Sequence, residues 1–267
     1  MKKIILSRKG YDDQYGGKPS VILPDGTMLS FPIPVLNPKE EGKKTEELSF
    51  RGQPLNEILI QLDPKHKNKK HHVDPDLYGL SGNQCLGAFG QGGAALGHLN
   101  NQKVSKGDVF LFFGTFCQSK KSFAGLEFEK MHPFHAIFGY LVVDKILTMD
   151  DIDINPTYEG LKVHPHYLNK KVEEYKRANA IFFGKDFGYF RFAEILRLTK
   201  PGYKKTWWQL PKAFANVKIS YHENVATSPA GEFIEFQSVA KGQEFVMESN
   251  PELEDWLSAI LKNKIEP

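Results

Sequence analysis

Cysteine is scarce, with two in 267 residues. Cys85 and Cys117 stand in no Cys-x-x-Cys pair and no Cys/His zinc spacing, which argues against a structural zinc and against a disulfide framework. Long apolar runs are missing too. Nothing approaches the roughly 20 residues of a membrane span, and the apolar stretch in Met1-Lys-Lys-Ile-Ile-Leu-Ser-Arg-Lys is too short for a signal peptide. These absences predict a cytoplasmic protein with free thiols. Neither sign of charge dominates: 35 Lys and Arg stand against 32 Asp and Glu, a net +3, so composition alone implies no nucleic-acid binding. The sequence has no Gly-x-Ser-x-Gly elbow and no His-Glu-x-x-His, and serine-hydrolase and zinc-protease chemistry gain no support. Internal repeats and low-complexity tracts are absent as well.

What remains is globular in character. Apolar residues make up 40% and charged residues 25%, close to the average for folded domains. The 20 Phe and 10 Tyr favour a sheet-rich core, because rings pack well on pleated surfaces. The expected fold is α/β (α+β): a single compact domain over 1–267 with a mixed, largely antiparallel sheet or partial barrel. Strands are predicted at Lys3 to Ser7, Asp108 to Gly114, His135 to Ile146, Asn179 to Phe183, Ile195 to Leu198 and Glu232 to Phe236. Ser20 to Leu23 and Thr27 to Phe31 read as a hairpin around Pro24-Asp25-Gly26, where Pro fixes φ and Gly permits positive φ. Short helices are predicted at Pro54 to Leu62, with Pro54 in the first turn, and at Tyr167 to Ala178; a C-terminal helix is predicted at Pro251 to Lys262. The basic run Lys65-His-Lys-Asn-Lys-Lys-His-His72 reads as a solvated loop or a phosphate contact. The turn at Lys106-Gly107-Asp108 before an apolar strand, followed later by Phe138-Gly-Tyr-Leu-Val-Val-Asp144, resembles strand pairs of the small PUA-like barrels. An ordinary mixed sheet produces the same pattern.

Three clusters carry candidate chemistry. In His71-His72-Val73-Asp74-Pro75-Asp76, Pro75 pushes Asp74 out of the helical region, and residues two apart in an extended segment share a face. His72, Asp74 and Asp76 would then converge, either on a divalent metal such as Mg²⁺ or as acid and base. The alternative is an Asx-turn in which Asp74 or Asp76 caps backbone amides. In Gly87-Ala-Phe-Gly-Gln91-Gly92-Gly-Ala-Ala-Leu-Gly-His98, small residues allow close approach to the backbone, and free amides ahead of a helix can cradle phosphate. Close backbone packing on a sheet is the other reading. Ser7-Arg8-Lys9-Gly10-Tyr11-Asp12 places charge at the end of a buried strand, where Arg8 would clamp a phosphate or carboxylate or simply face solvent. His132, His135, His164, His166 and His222 read singly as structural residues, though His164-Pro165-His166 offers two rings on an extended turn.

Taken in order, several segments resemble a known family. They are Leu6-Ser-Arg-Lys-Gly-Tyr-Asp, Gly17-Lys-Pro-Ser, Leu23-Pro-Asp-Gly-Thr-Met-Leu-Ser, Pro32-Ile-Pro, His72-Val-Asp-Pro-Asp-Leu and Gly90-Gln-Gly-Gly-Ala-Ala-Leu-Gly-His-Leu. Gly107-Asp-Val-Phe-Leu-Phe-Phe-Gly, Phe134-His-Ala-Ile-Phe-Gly-Tyr, Trp208-Gln-Leu-Pro and Gly242-Gln-Glu-Phe-Val complete the set. Their order resembles the third type of the nucleotide modification associated domains, found in phages and bacteria in contexts of DNA base hypermodification. The resemblance runs from Lys3 to about Leu257. It implies that Arg8, Asp12, Asp74, Asp76, Gln91, His98 and His135 face a common site, with Gln243 and Glu244 as further contributors. The chain departs from the family pattern at Thr115-Phe116-Cys117, where a Trp-Phe-Arg-like stretch is expected.

The resulting expectation is an enzyme that modifies a nucleotide or a DNA base. Asp74, Asp76, His98 and His135 are the candidate catalytic residues. Arg8, Lys9, Asp12, Gln91, Gly92, Gln243 and Glu244 are the candidate substrate contacts; Mg²⁺ is a candidate cofactor, and no metal ligand set is assigned. A non-catalytic PUA-like reader of a modified base is the first alternative, since rings stack on extruded bases. A nucleotide-sugar or NAD-dependent transferase is the second. The partner is a nucleotide or DNA base, and no membrane is involved.

Overall fold

The strand Val109–Gln118 is the spine of the main sheet, and its sequence explains why. Val-Phe-Leu-Phe-Phe carries no charge, and nine of its ten residues are buried, the pattern of a strand covered on both faces. In the computed structural model, which describes residues 2–12, 16–82, 85–121, 123, 125–129, 132–222, 226–227, 231–239 and 244–265, this strand carries neighbours on both edges. Phe134–Val142 runs antiparallel along one edge, with a register shift between Phe112 and Phe113. The other edge takes Lys3–Arg8 along its first half and Ser20–Ile22 along its second, both parallel. Glu244–Glu248 then pairs antiparallel with Lys3–Arg8, and Phe187–Phe190 extends the sheet beyond Phe134–Val142. The mixed sheet curls into a half-barrel, with about 25% helix and 35% strand overall.

A second, antiparallel sheet of Lys145–Thr148, Asn179–Phe183 and Ala88–Gly92 packs against the spine. Rings make the joint: Phe89 lies 5.0 Å from Phe110 and 5.1 Å from Phe112, and Phe182 lies 5.0 Å from Phe110, all edge to face. The principal hydrophobic core draws on residues from Ile4 to Ile260. Pro251–Leu261 closes it, capped by the Asn250 side chain accepting from the Leu253 N–H at 2.8 Å, with Leu253, Trp256, Leu257 and Ile260 turned inward.

Several local expectations change. The Pro-Asp-Gly hairpin forms, with Val21 opposite Leu29 and Gly26 at φ 82°. Pro54 belongs to a two-residue strand opposite Ser49, and the helix starts after it, at Asn56–Leu62. The apolar run 135–146 is two strands: Phe134–Val142 stays in the main sheet, while Lys145–Thr148 leaves for the second. Ile195 to Leu198 is not a strand. Glu194–Leu196 is a 3₁₀ turn, tied by two bonds from the Arg197 guanidinium to Glu194. The basic run is only partly a solvated loop. Lys70–His72 is a strand between Ile33–Pro34 and Lys43–Lys44, and His71 is fully buried between the Thr45 hydroxyl and the Pro32 carbonyl.

Candidate functional site

The strand Ala88–Gly92 separates two polar centres. Alternate residues of a strand face opposite ways: Phe89 and Gln91 look toward the main sheet, while Gly90 and Gly92 look toward the segment 164–166.

On the outer face, Asp74 is the hub. It lies two residues past the strand Lys70–His72, and its side chain is 3% exposed. Both of its oxygens accept from the Gly90 N–H, at 3.0 and 3.1 Å. Three imidazoles surround it. His164 Nε2 is 3.3 Å from Oδ1, while His166 Nε2 and His72 Nε2 are 3.4 and 3.6 Å from Oδ2. Burial works against charge on Asp74, but the imidazoles, His164 first, outweigh it and hold the carboxyl well below the usual carboxylate range. Burial pushes His166 down to about 3 in spite of Asp74 beside it. His72, the most open of the four at 13%, turns the centre toward solvent.

Local structure fixes these rings. His164 is the N-cap of the short helix Pro165–Leu168, and its Nδ1 accepts from the His166 N–H at 3.2 Å. His166 Nδ1 lies 2.7 Å from Asn179 Oδ1, and Asn179 Nδ2 donates to the His166 carbonyl at 2.9 Å. Tyr175 packs edge-on against His166 at 5.0 Å. Gly90 has to be glycine here, because a Cβ would fall 2.2 Å from the His166 ring. His72, Asp74 and His166 each offer one donor atom, all within 4.8 Å of one another, and so form a group able to hold a metal.

On the inner face, Glu244 is buried at 1% exposure. Its Oε1 accepts from Lys9 Nζ at 3.1 Å and from Gln91 Nε2 at 2.6 Å. Burial raises the Glu244 pKa, with Lys9, Ser7 and Gln91 opposing. Lys9 also sits 4.6 Å over the Phe89 ring. Gln91 Oε1 accepts from the Gly92 N–H at 3.1 Å, and the Gly93 N–H donates to the Ala178 carbonyl at 2.9 Å. The glycine amides that lead into the helix Gly93–Asn101 therefore have partners within the chain.

The remaining candidates lie in other surroundings. Asp76 is a turn cap, accepting from the Leu80 and Ser81 amides and the Ser81 hydroxyl at 2.7–2.9 Å. Arg8 donates to the Val239 carbonyl at 3.1 Å, and burial lowers its pKa with Asp12 partly offsetting this. His135 is buried, accepts from the Trp208 indole N–H at 3.0 Å, and is pushed by burial down to about 3. His98 pairs with the Ser220 hydroxyl at 3.2 Å and lies tilted against the Tyr221 ring at 4.6 Å. Gln243 lies outside the described residues. The sequence expectation is one common site; the structure brings Lys9, Gln91 and Glu244 together on one side of the strand and Asp74 with His72 on the other, and sequence reasoning assigns no site role to His164, His166 or Asn179. The available signal was the His-x-His spacing of 164 and 166, which matches His72-x-Asp74.

A separate cavity of about 560 Å³ lies at the turn 199–205, lined by Phe134, Arg197, Lys200, Tyr203, Lys204 and Lys205 among others. The Arg197 guanidinium stands 3.8 Å over the Phe134 ring, Lys200 Nζ 4.5 Å over the Tyr203 ring, and Tyr203 is 54% exposed.

Among the described residues no helix is long and apolar enough to cross a membrane. Comparison with curated proteins and with solved structures gave no match. A family match does exist, described as nucleotide modification associated domain 3, and it spans residues 3–248, which includes both carboxylate centres and the strand between them. The chain belongs to the nucleotide modification associated domain 3 family.

Proposed function

We propose that this protein is an enzyme that modifies a nucleotide or a base in DNA, that the whole chain acts as one domain, and that its chemistry is run at Asp74. The carrying observation is the convergence of three imidazole Nε2 atoms within 3.3–3.6 Å of a single buried carboxylate. Gathering so many titratable groups out of water costs stability, and such clusters concentrate at functional sites. An ionised carboxylate among imidazoles can accept, hold and pass protons, or fix a metal. Lys9, Gln91 and Glu244 would brace the strand that holds the centre. At the cavity at 197–205, where Arg197 and Lys200 are paired with Glu194 and Glu235, Lys204 and Lys205 would supply cations to a phosphate.

The test is direct. The protein is incubated with mononucleotides and with short single- and double-stranded DNA, and the products are read by mass spectrometry. A mass change in one substrate class, absent in Asp74→Asn, is expected. Tight binding without any mass change, unaffected in Asp74→Asn, would overturn the enzymatic reading. One observation favours that second outcome, a reader of extruded bases: exposed Tyr203 stands beside Lys204 and Lys205, a ring on which a base would stack next to cations that would meet its phosphate.

A further inference from the structure

We propose that His72, Asp74 and His166 bind a divalent first-row transition metal ion, with the Gly90 amide holding the carboxylate in position. The argument starts from where protons must sit. Asn179 Nδ2 donates to the His166 carbonyl, so Asn179 Oδ1 is the atom that faces His166 Nδ1 at 2.7 Å. An amide oxygen only accepts, so His166 Nδ1 carries the ring proton. In the neutral ring Nε2 is then a bare lone pair, and it points at Asp74 Oδ2 from 3.4 Å. Two acceptors face each other where the side chains are 7% and 3% exposed. A cation between them turns that repulsion into two bonds.

His164 has the opposite tautomer. Its Nδ1 accepts from the His166 N–H, so its proton is on Nε2, 3.3 Å from Asp74 Oδ1. His164 is therefore not a ligand: its Nε2 meets Asp74 Oδ1 only as a close contact, without a hydrogen bond, and it is the Gly90 amide that donates to that oxygen. That leaves Oδ2 for the metal beside His166 and His72. Metal-bound histidines ordinarily give their second N–H to a carbonyl or carboxylate, and bound carboxylates are themselves hydrogen-bonded; His166 has the first support in Asn179 and Asp74 the second in Gly90. The two spacings from Oδ2 fit: with bonds of about 2.1 Å, gaps of 3.4 and 3.6 Å correspond to angles of about 108° and 118°, and all three donor atoms lie within 4.8 Å of one another. Two imidazoles and one carboxylate suit manganese, iron, cobalt, nickel or zinc rather than magnesium or calcium, which take oxygen donors. Asp76 takes no part, being spent on the turn at 80–81.

This inference deepens the enzymatic reading at the same centre but is tested without any nucleotide. The full chain, stripped with a chelator, is titrated with Co²⁺, and the visible d–d bands are followed. Retained Mn, Fe, Co, Ni and Zn are then measured by elemental mass spectrometry after dialysis. About one equivalent is expected. His166→Ala should abolish the bands, and His72→Ala, at the most open ligand, should weaken Co²⁺ binding at least tenfold. His132→Ala, an exposed histidine elsewhere, should bind Co²⁺ as the wild type does. Circular dichroism identifies any variant that fails to fold. Absence of bands and of retained metal overturns the proposal, as does equal Co²⁺ affinity in His72→Ala and His132→Ala. Metal binding without nucleotide turnover would remove the enzymatic reading and keep the metal. Turnover undiminished by the chelator would do the reverse.

Discussion

Two buried carboxylates lie on opposite faces of one five-residue strand, and they are stabilised by different means. Glu244 faces a fixed positive charge, the Lys9 ammonium, together with one amide donor. Asp74 faces three imidazoles, which can be donors, acceptors or cations. Burial prevails at Glu244 and its pKa rises; at Asp74 the neighbours prevail and its pKa falls. A pair such as Lys9–Glu244 is a strut: its partners have one useful state each. A carboxylate among imidazoles gathers groups that can each give, take or coordinate, and such gatherings concentrate at functional sites.

The contrast can be broken hardest at Asp74. Asp74→Ala strands the Gly90 amide and removes the only carboxylate in contact with the three rings among the described residues. A loss of about 3 kcal/mol or more is expected in urea denaturation, from the unpaired Gly90 amide, about 1–3 kcal/mol, together with the cavity left where the carboxylate stood. On the inner face, Lys9→Met leaves Glu244 buried without its cation and should cost about 3 kcal/mol. Adding Glu244→Gln should restore much of that loss, and a double-mutant cycle measures the coupling. Gly90→Ala acts on the outer face alone. Its Cβ must displace His166, at about 1–3 kcal/mol for overpacking, and Co²⁺ binding should fall while the Lys9–Glu244 pair survives.

Titration sharpens the comparison further. The folded pKa of Glu244 is raised, so its proton is held more tightly in the folded chain. Its contribution is fully present below the ordinary glutamate value of about 4.3 and is lost as pH rises through the raised folded value. Glu244→Gln should flatten that part of the stability profile. His135 has the opposite sign. Its folded value of about 3 lies below the ordinary histidine value of about 6.5, so stability drains as pH falls between the two. His135→Leu should flatten the acid limb while costing the Trp208 N–H its acceptor, about 1–3 kcal/mol. Lys204→Ala, at the rim of the cationic cavity, marks the small end: stability should move by less than about 0.5 kcal/mol, while binding of single-stranded DNA weakens and its salt dependence becomes shallower.

Local rules carried much of the fold. Val109–Gln118 as far as Gly114, Asn179–Phe183 and Pro251–Leu261 were legible because burial on both faces, short β-rich runs and 3.6-residue spacing each leave a mark in sequence; the continuation of the first strand from Thr115 to Gln118 reads in sequence as a connection. The break between Phe134–Val142 and Lys145–Thr148 was not, since nothing apolar distinguishes one sheet from another. The site was half legible for a related reason. The polar residues of 71–76 stand out, but period-2 alternation speaks only for a strand that continues, and the chain turns at Asp74, sending Asp76 to cap residues 80 and 81. The rings that complete the centre arrive from about ninety positions away, at His164 and His166, and single-sequence spacing holds no record of that approach.

The amide of Gly90 grips Asp74 and the side chain of Gln91 grips Glu244, and these two residues are neighbours in the chain. The offset between the two centres along the strand is therefore set by one peptide unit, a rise of about 3.3 Å. That length is set by the extended backbone, which the ladder to Asn179–Phe183 holds in place. The strand works as a ruler: any displacement along its axis reads out on both faces at once and in equal measure.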